Sequence, residues 1–377
     1  MTAISSILFY LLNGVSAVYE PESIATRAAQ VWSSEPLLSV GWLVLGIAVM
    51  MGFLVIIGMG LIYGERKIAA HFQCRLGPMR VGWHGLLQVI ADTLKLLVKE
   101  DLVPEKADKI LHVLAPVLAI MATLLALAIV PASPYFQLID VNIGVIYVTA
   151  VGSIGVLGVL LGGWSSNNKW SLLGAMRAGA QIISYEVSAT LALLIIVLFA
   201  GSMQLSAIVE SQADGWWIWR SHLAGIIAFF TFLIASTAEL NRTPFDLPEG
   251  ESELTAGFHT EYSGMRFAFF FLAEFINMFV ASAIAATLFL GGWMPFQIGG
   301  LDGFNAVMQT IPPGVWFALK TGGLIFLLMW FRWTFPRLRI DQLMGLEWKF
   351  LLPVGFVNLL FAAVLILMGW YFAPLPA

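Results

Sequence analysis

The chain has 377 residues, a net charge of −4 and only 11% charged residues, against 59% hydrophobic ones and a mean hydropathy of +0.88. So small a net charge, with no basic run, excludes a nucleic-acid partner. A single cysteine, Cys74, excludes a disulfide framework or a four-cysteine metal site within the chain, and is expected to be a small apolar packing residue.

Residues 1–40 include the apolar run AISSILFYLLNGVSAV, which lacks the Lys or Arg that leads a signal peptide. They read as an extension lying against the membrane or a neighbour. Stretches of 18 or more apolar residues read as spanning helices, since about 20 residues cross a core roughly 30 Å thick. Eight occur, at about 41–63, 110–131, 142–163, 181–201, 222–239, 267–291, 315–334 and 350–372. Strong two-residue alternation is absent, which favours helices over a barrel. The expected fold is all-α: a polytopic membrane helical bundle, with one transmembrane domain over 41–377.

The first connection, 64–109, contains GLLQVIADTLKLLVKE (85–100). Gln88, Asp92, Lys95 and Lys99 fall at i, i+4, i+7 and i+11, one stripe of a helix that is otherwise apolar. Three charges make it a poor span and a good interfacial amphipathic helix. It serves either as a peripheral anchor or as the polar wall of a cavity entered from the lipid. The preceding CRLGPMRVGWHG should turn. His112, near the start of the second span, reads as a packed or interfacial residue.

The odd-numbered connections hold 16 of the 19 basic residues; Arg27, Arg220 and Lys320 fall elsewhere. The positive-inside tendency therefore puts the long connections in the cytoplasm and both termini on the outer side of a bacterial-type inner membrane. Eight spans agree, because an even number returns the chain to its starting side.

The acidic loop 239–264, between the fifth and sixth spans, opens with ELNRTPFDLPEGESELTAGFHTEY. It carries Glu239, Asp246, Glu249, Glu251, Glu253 and Glu261. Positive-inside bias does not account for acids, so this face reads as a docking surface for a cytoplasmic partner. Clustered carboxylates raise one another's proton affinity and titrate as a set, which suits reversible proton uptake. They could instead pair with Arg242, Arg266 or a partner's basic residues. Glu186 and Glu274 lie inside spans, roughly 10 Å from the cytoplasmic end at about 1.5 Å per residue. Glu65 and Glu239 sit at the ends of theirs. Ionisable groups at such depth usually mark an ion or proton path.

No phosphate-cradling loop, GxGxxG, HExxH or CxxC is present, and the five histidines show no paired haem-ligand pattern. The sequence offers neither a catalytic constellation nor a metal site, so any redox centre must belong to another subunit.

Several long motifs then occur in order: GERKIAAHFQCRLGP (64–78), GLLQVIADTLKLLVKED (85–101), KWSLLGAMRAGAQIISYE (169–186), AELNRTPFDLPEGESELTAGFHTEYSG (238–264) and PRLRIDQLMGLEWK (336–349). From about residue 41 onward the chain resembles the H-type subunit family of respiratory complex I, also called NADH dehydrogenase subunit one. The resemblance implies a non-redox subunit of proton-translocating NADH:quinone oxidoreductase, joining a hydrophilic redox arm to the membrane arm. It also implies that Glu65, Arg66, Asp92 and Arg332 line a quinone chamber or its mouth. Glu186, Glu239, Asp246, Glu249, Glu251, Glu253, Glu261 and Glu274 would then form a coupling path. The substrate would be a quinone, ubiquinone or menaquinone, and flavin (FMN) and iron-sulfur clusters would sit in redox-arm partners. Further partners would be antiporter-like membrane subunits and the lipid bilayer. The chain departs from the family's GPNRVGPxGLLQ at Met79, Trp83 and His84, which bears on the backbone of that turn. Two alternatives stay open at this point: the equivalent subunit of a membrane-bound hydrogenase-type complex, and a free-standing cation/proton antiporter.

Overall fold

The computed structural model describes residues 36–134, 136–248, 250, 254–297 and 302–370. The expected extension up to residue 35, and Glu249, Glu251 and Glu253, lie outside them. Eight helices among the described residues are long and apolar enough to cross a membrane, and the only β feature there is an isolated bridge between Ser133 and Phe136. In chain order the helices are α1 (Pro36–Phe72), the short α2 (Gln88–Val98), α3 (Lys109–Ala128), α4 (Gly144–Ser165) and α5 (Lys169–Ala200). They continue with α6 (His222–Glu239), α7 (Gly264–Phe289), α8 (Pro313–Thr334) and α9 (Ile340–Leu367). This is the expected polytopic all-α bundle.

Several helices run beyond the hydropathy limits on the side of the basic connections. α5 begins at Lys169 rather than 181, α9 at Ile340 rather than 350, and α1 runs on to Phe72. Apolar length reports the part that faces lipid, and a helix can continue beyond it when its end is satisfied by a cap. Asn168 Oδ1 accepts from the Trp170 amide at 2.9 Å, and Asp108 Oδ1 accepts from the Ile110 and Leu111 amides at 3.1 and 3.3 Å. Glu65 therefore sits inside α1, well before its end at Phe72.

α5 is the centre of the bundle: 67% of its most apolar window is buried, against 12% for α1. It packs on α4, α6 and α9, while α3 lies against α4 and α7. Without a hydrophobic driving force between helices in lipid, close approach relies on small residues. A Cβ on Gly158 of α4 would stand 2.9 Å from the Ala119 nitrogen of α3. At the opposite end from the acidic segment, the Lys320 ammonium of α8 donates to the carbonyls of Leu290, Gly292 and Met294 at 2.6, 3.0 and 2.6 Å. That uses one of the three basic residues outside the basic connections to satisfy the carbonyl end of α7.

Two expectations need correction. The amphipathic helix covers Gln88–Val98 rather than 85–100. Gly85 has φ +78°, and a Cβ there would lie 2.2 Å from the Pro78 carbonyl oxygen, so the chain is still turning. Lys99 has already left the helix with extended backbone. Cys74 is exposed rather than packed. It takes φ +53° just past the end of α1, where the Arg75 amide bonds back to the Ala70 carbonyl.

Candidate functional site

The buried charges gather where the chain leaves α6. Arg242 is 2% exposed, and its Nη1 donates to Glu65 Oε2 at 2.7 Å. Its Nε forms an ion pair with Glu274 Oε1 at 2.8 Å, and the guanidinium lies 4.7 Å from the Phe275 ring centre. The other oxygen of Glu65 accepts from Arg332 Nη1 at 2.7 Å. Four charged groups from α1, the acidic segment, α7 and α8 thus form a net-neutral chain, Glu274–Arg242–Glu65–Arg332. Buried charges persist only when paired in this way.

One residue on, Arg66 turns to a different partner and bonds to Asp92 of α2, which also accepts from Gln88 Nε2 at 2.9 Å. Burial raises the Asp92 pKa, but the Arg66 and Gln88 hydrogen bonds outweigh it and hold the carboxyl below its ordinary value. Asp246 forms a third pair, accepting from Arg337 Nη2 at 2.9 Å. Burial pushes its carboxyl up despite that arginine and Arg332. The four residues expected at the chamber therefore fall into two adjoining clusters that share consecutive residues of α1: Glu65 with Arg332 of α8, and Arg66 with Asp92 of α2.

Behind the chain lies a cavity of about 160 Å³ lined by α3 to α7 and the acidic segment. Its polar lining includes Glu186, Glu239, Glu274, Asn241, Asn277 and Thr190. Glu186 accepts from the Ser153 hydroxyl, and a Cβ on Gly152 would lie 3.5 Å from Glu239 Oε1. Glu274 belongs to both features: it faces the cavity and pairs with Arg242. Among the described residues, neither Glu186 nor Glu239 has a basic group within ion-pair distance.

Glu261 stands apart from the cavity, accepting from Asn168 Nδ2 at 2.5 Å, the same residue that caps α5. Among the described residues, Arg266 pairs with Asp101 at 2.9 Å. His259 lines the cavity, and burial lowers its pKa to about 4. His112 is fully buried with its ring centre 3.9 Å from that of Tyr262, the packed role expected of it.

Sequence reasoning missed Gln181. Its amide nitrogen donates to the carbonyls of Ala238 and Phe245 at 2.7 and 2.8 Å and to Asn241 Oδ1 at 3.1 Å, fixing the path of the acidic segment against α5. A Gln inside a spanning motif carried that signal in principle. In the turn that departs from the family pattern, His84 takes φ +51° and its carbonyl accepts from Tyr63, while Met79 Sδ lies 3.0 Å from the Lys67 ammonium.

The NADH dehydrogenase family profile matches residues 45–363, nearly the whole described bundle. This chain belongs to that family. Similar proteins include the H-type subunit of NADH-quinone oxidoreductase from Bacteroides thetaiotaomicron, 53% identical over 349 residues, covering 90% of this chain and 98% of the relative. That of Bacteroides fragilis is 57% identical over 312 residues, covering 83% and 87%. That of Geobacillus kaustophilus is 50% identical over 312 residues, covering 82% and 89%. The family match bears out the resemblance carried by the 64–78, 85–101, 169–186, 238–264 and 336–349 motifs, and it begins beyond the N-terminal extension.

Proposed function

We propose that the chain is the membrane-arm subunit of a proton-translocating NADH:quinone oxidoreductase that forms the quinone chamber and couples quinone reduction to proton movement. The names of its relatives favour this over a hydrogenase-type subunit or a lone antiporter. One observation carries the coupling role. The neutral chain Glu274–Arg242–Glu65–Arg332 ends on a cavity whose other carboxylates, Glu239 and Glu186, have no cation among the described residues.

In this reading Asp92, Arg66 and Arg332 face the quinone. The substrate takes up a pair of electrons, supplied by iron-sulfur clusters of the redox arm, and a proton for each. Negative charge developing near Glu65 pulls Arg332 and Arg242 toward it and weakens the hold of Arg242 on Glu274. Glu274 then gains affinity for a proton, drawn from Glu239 or Glu186 across the cavity. At about 2.3 kcal/mol for one charge across 100 mV, a coupled shift of under two pKa units is on the required scale. Asp246, Glu249, Glu251, Glu253 and Glu261 are the supply side on the cytoplasmic face, where the redox arm docks. Both termini are on the outer side, and the antiporter-like subunits receive the proton or its charge.

The test replaces Glu186 or Glu239 by Gln in the whole complex in sealed vesicles. Quinone-coupled pumping should fall more than about tenfold, the equivalent of about 1.4 kcal/mol. Electron flow from NADH to an artificial acceptor, which uses only the redox arm, should persist. Full pumping stoichiometry in both variants would overturn the reading.

A further inference from the structure

Glu347 lies outside everything described so far. It begins a π-helical turn, Glu347–Leu351, where α9 passes from its polar first turns into the apolar span. The residue is fully buried. Its Oε1 accepts from the Ser188 hydroxyl of α5, and its Oε2 is buried with no hydrogen-bond partner among the described residues. No basic group is within ion-pair distance there. The titratable neighbour from the packed helix is Tyr185 of α5, whose hydroxyl donates to the Leu343 carbonyl at 2.9 Å. On its own element the charged residues, Asp341 and Lys349, are exposed. Asn358, about three turns further along α9, is committed to the Ala224 carbonyl at 3.0 Å.

An ionised carboxylate held by one hydroxyl, with an oxygen bare of any donor, is not a stable arrangement in an apolar interior. A proton is the smallest group that completes it. π-turns inside α-helices recur at functional sites, and an ionisable group within a span is a functional candidate on energetic grounds. We propose that Glu347 is a second proton-binding site of this subunit, on the face of α5 opposite Glu186. Protonation places the O–H on Oε2 while Oε1 keeps the Ser188 bond, and release returns the proton toward the exposed end of α9, where Asp341 lies about 9 Å along the axis. The net change is one proton bound and one negative charge removed, with no electron transferred.

Proton binding at rest is independent of the quinone reading, and only its participation in turnover rests on that reading. Infrared difference spectra of the whole complex separate the two. A pH step applied to the resting complex should produce a carboxylic C=O band that Glu347→Gln removes, and reduction by NADH should produce the same band. Ser188→Ala keeps the carboxylate and should shift the band, because the hydroxyl bond to Oε1 is lost. Carboxyl spectra identical in wild type and Glu347→Gln at rest would overturn the proposal, as would a Ser188→Ala complex with an unshifted band. If Glu347→Gln fails to assemble, the Ser188→Ala shift decides alone. A resting band without a turnover band overturns the role in turnover. Normal pumping in both Glu186→Gln and Glu239→Gln would sink the quinone-coupling reading and leave the resting band untouched. A purely structural helix-to-helix hydrogen bond predicts that Gln substitutes silently.

Discussion

At the scale of single residues, Arg242 is a buried cation shared between two acids. It is 2% exposed and holds two carboxylates from helices distant in sequence. Removing one partner of a buried pair leaves an uncompensated charge, at a cost of about 3–5 kcal/mol. Arg242→Met should therefore lower the thermal stability of the detergent-solubilised complex by that order. Glu274→Gln in the same chain should recover part of the loss, because it deletes one of the orphaned charges. Equal melting of Arg242→Met and wild type would show that the pairs contribute nothing. Arg242→Lys should not suffice, since an ammonium lacks the fork that reaches Glu65 and Glu274 in two directions.

At the scale of elements, the acidic segment is held by its buried side chains, and His259 makes that hold depend on pH. Folded, His259 stays neutral down to about pH 4, whereas its unfolded value is 6.5. The unfolded segment therefore binds a proton that the folded one refuses. Stability from this group is complete above about pH 6.5 and is lost as pH falls toward 4, by about 3 kcal/mol at the limit. Backbone hydrogen exchange over 254–263 should quicken across that window relative to α5, and His259→Gln should remove the dependence. Spans were legible because apolar length is a local property: 222–239 coincides with α6. The acids were legible too, since charge is conspicuous in so apolar a chain. Their partners were not. Arg332 and Glu65 are 267 positions apart, and Arg242 and Glu65 are 177 apart, so only the folded packing brings them together. The 336–349 motif hid Glu347 for another reason. The residue precedes the apolar run expected at 350–372 and so fell outside every expected span, while α9 had already begun at Ile340.

At the scale of the whole molecule, charge asymmetry sets a direction that can be checked without function. Cys74 is exposed in the first basic connection, and Asp214 is exposed in a loop on the opposite face. In inverted vesicles stripped of peripheral subunits, a membrane-impermeant maleimide should label Cys74. In a Cys74→Ser, Asp214→Cys chain it should label only after the vesicles are opened. The reverse pattern would invert the orientation and move the acidic face to the outside. The same architecture bears on how a signal crosses it. Gly174 of α5 meets the acidic segment at backbone range: a Cβ there would stand 2.8 Å from the Phe258 nitrogen and 2.9 Å from Gly257. No side chain lies between the two to change rotamer and absorb a displacement. So close an approach leaves little free space at this joint, so a tilt of α5 should displace the 257–259 turn. A charge event that moves the acidic segment would thereby be passed to the central helix, with both Glu186 and Ser188 mounted on it.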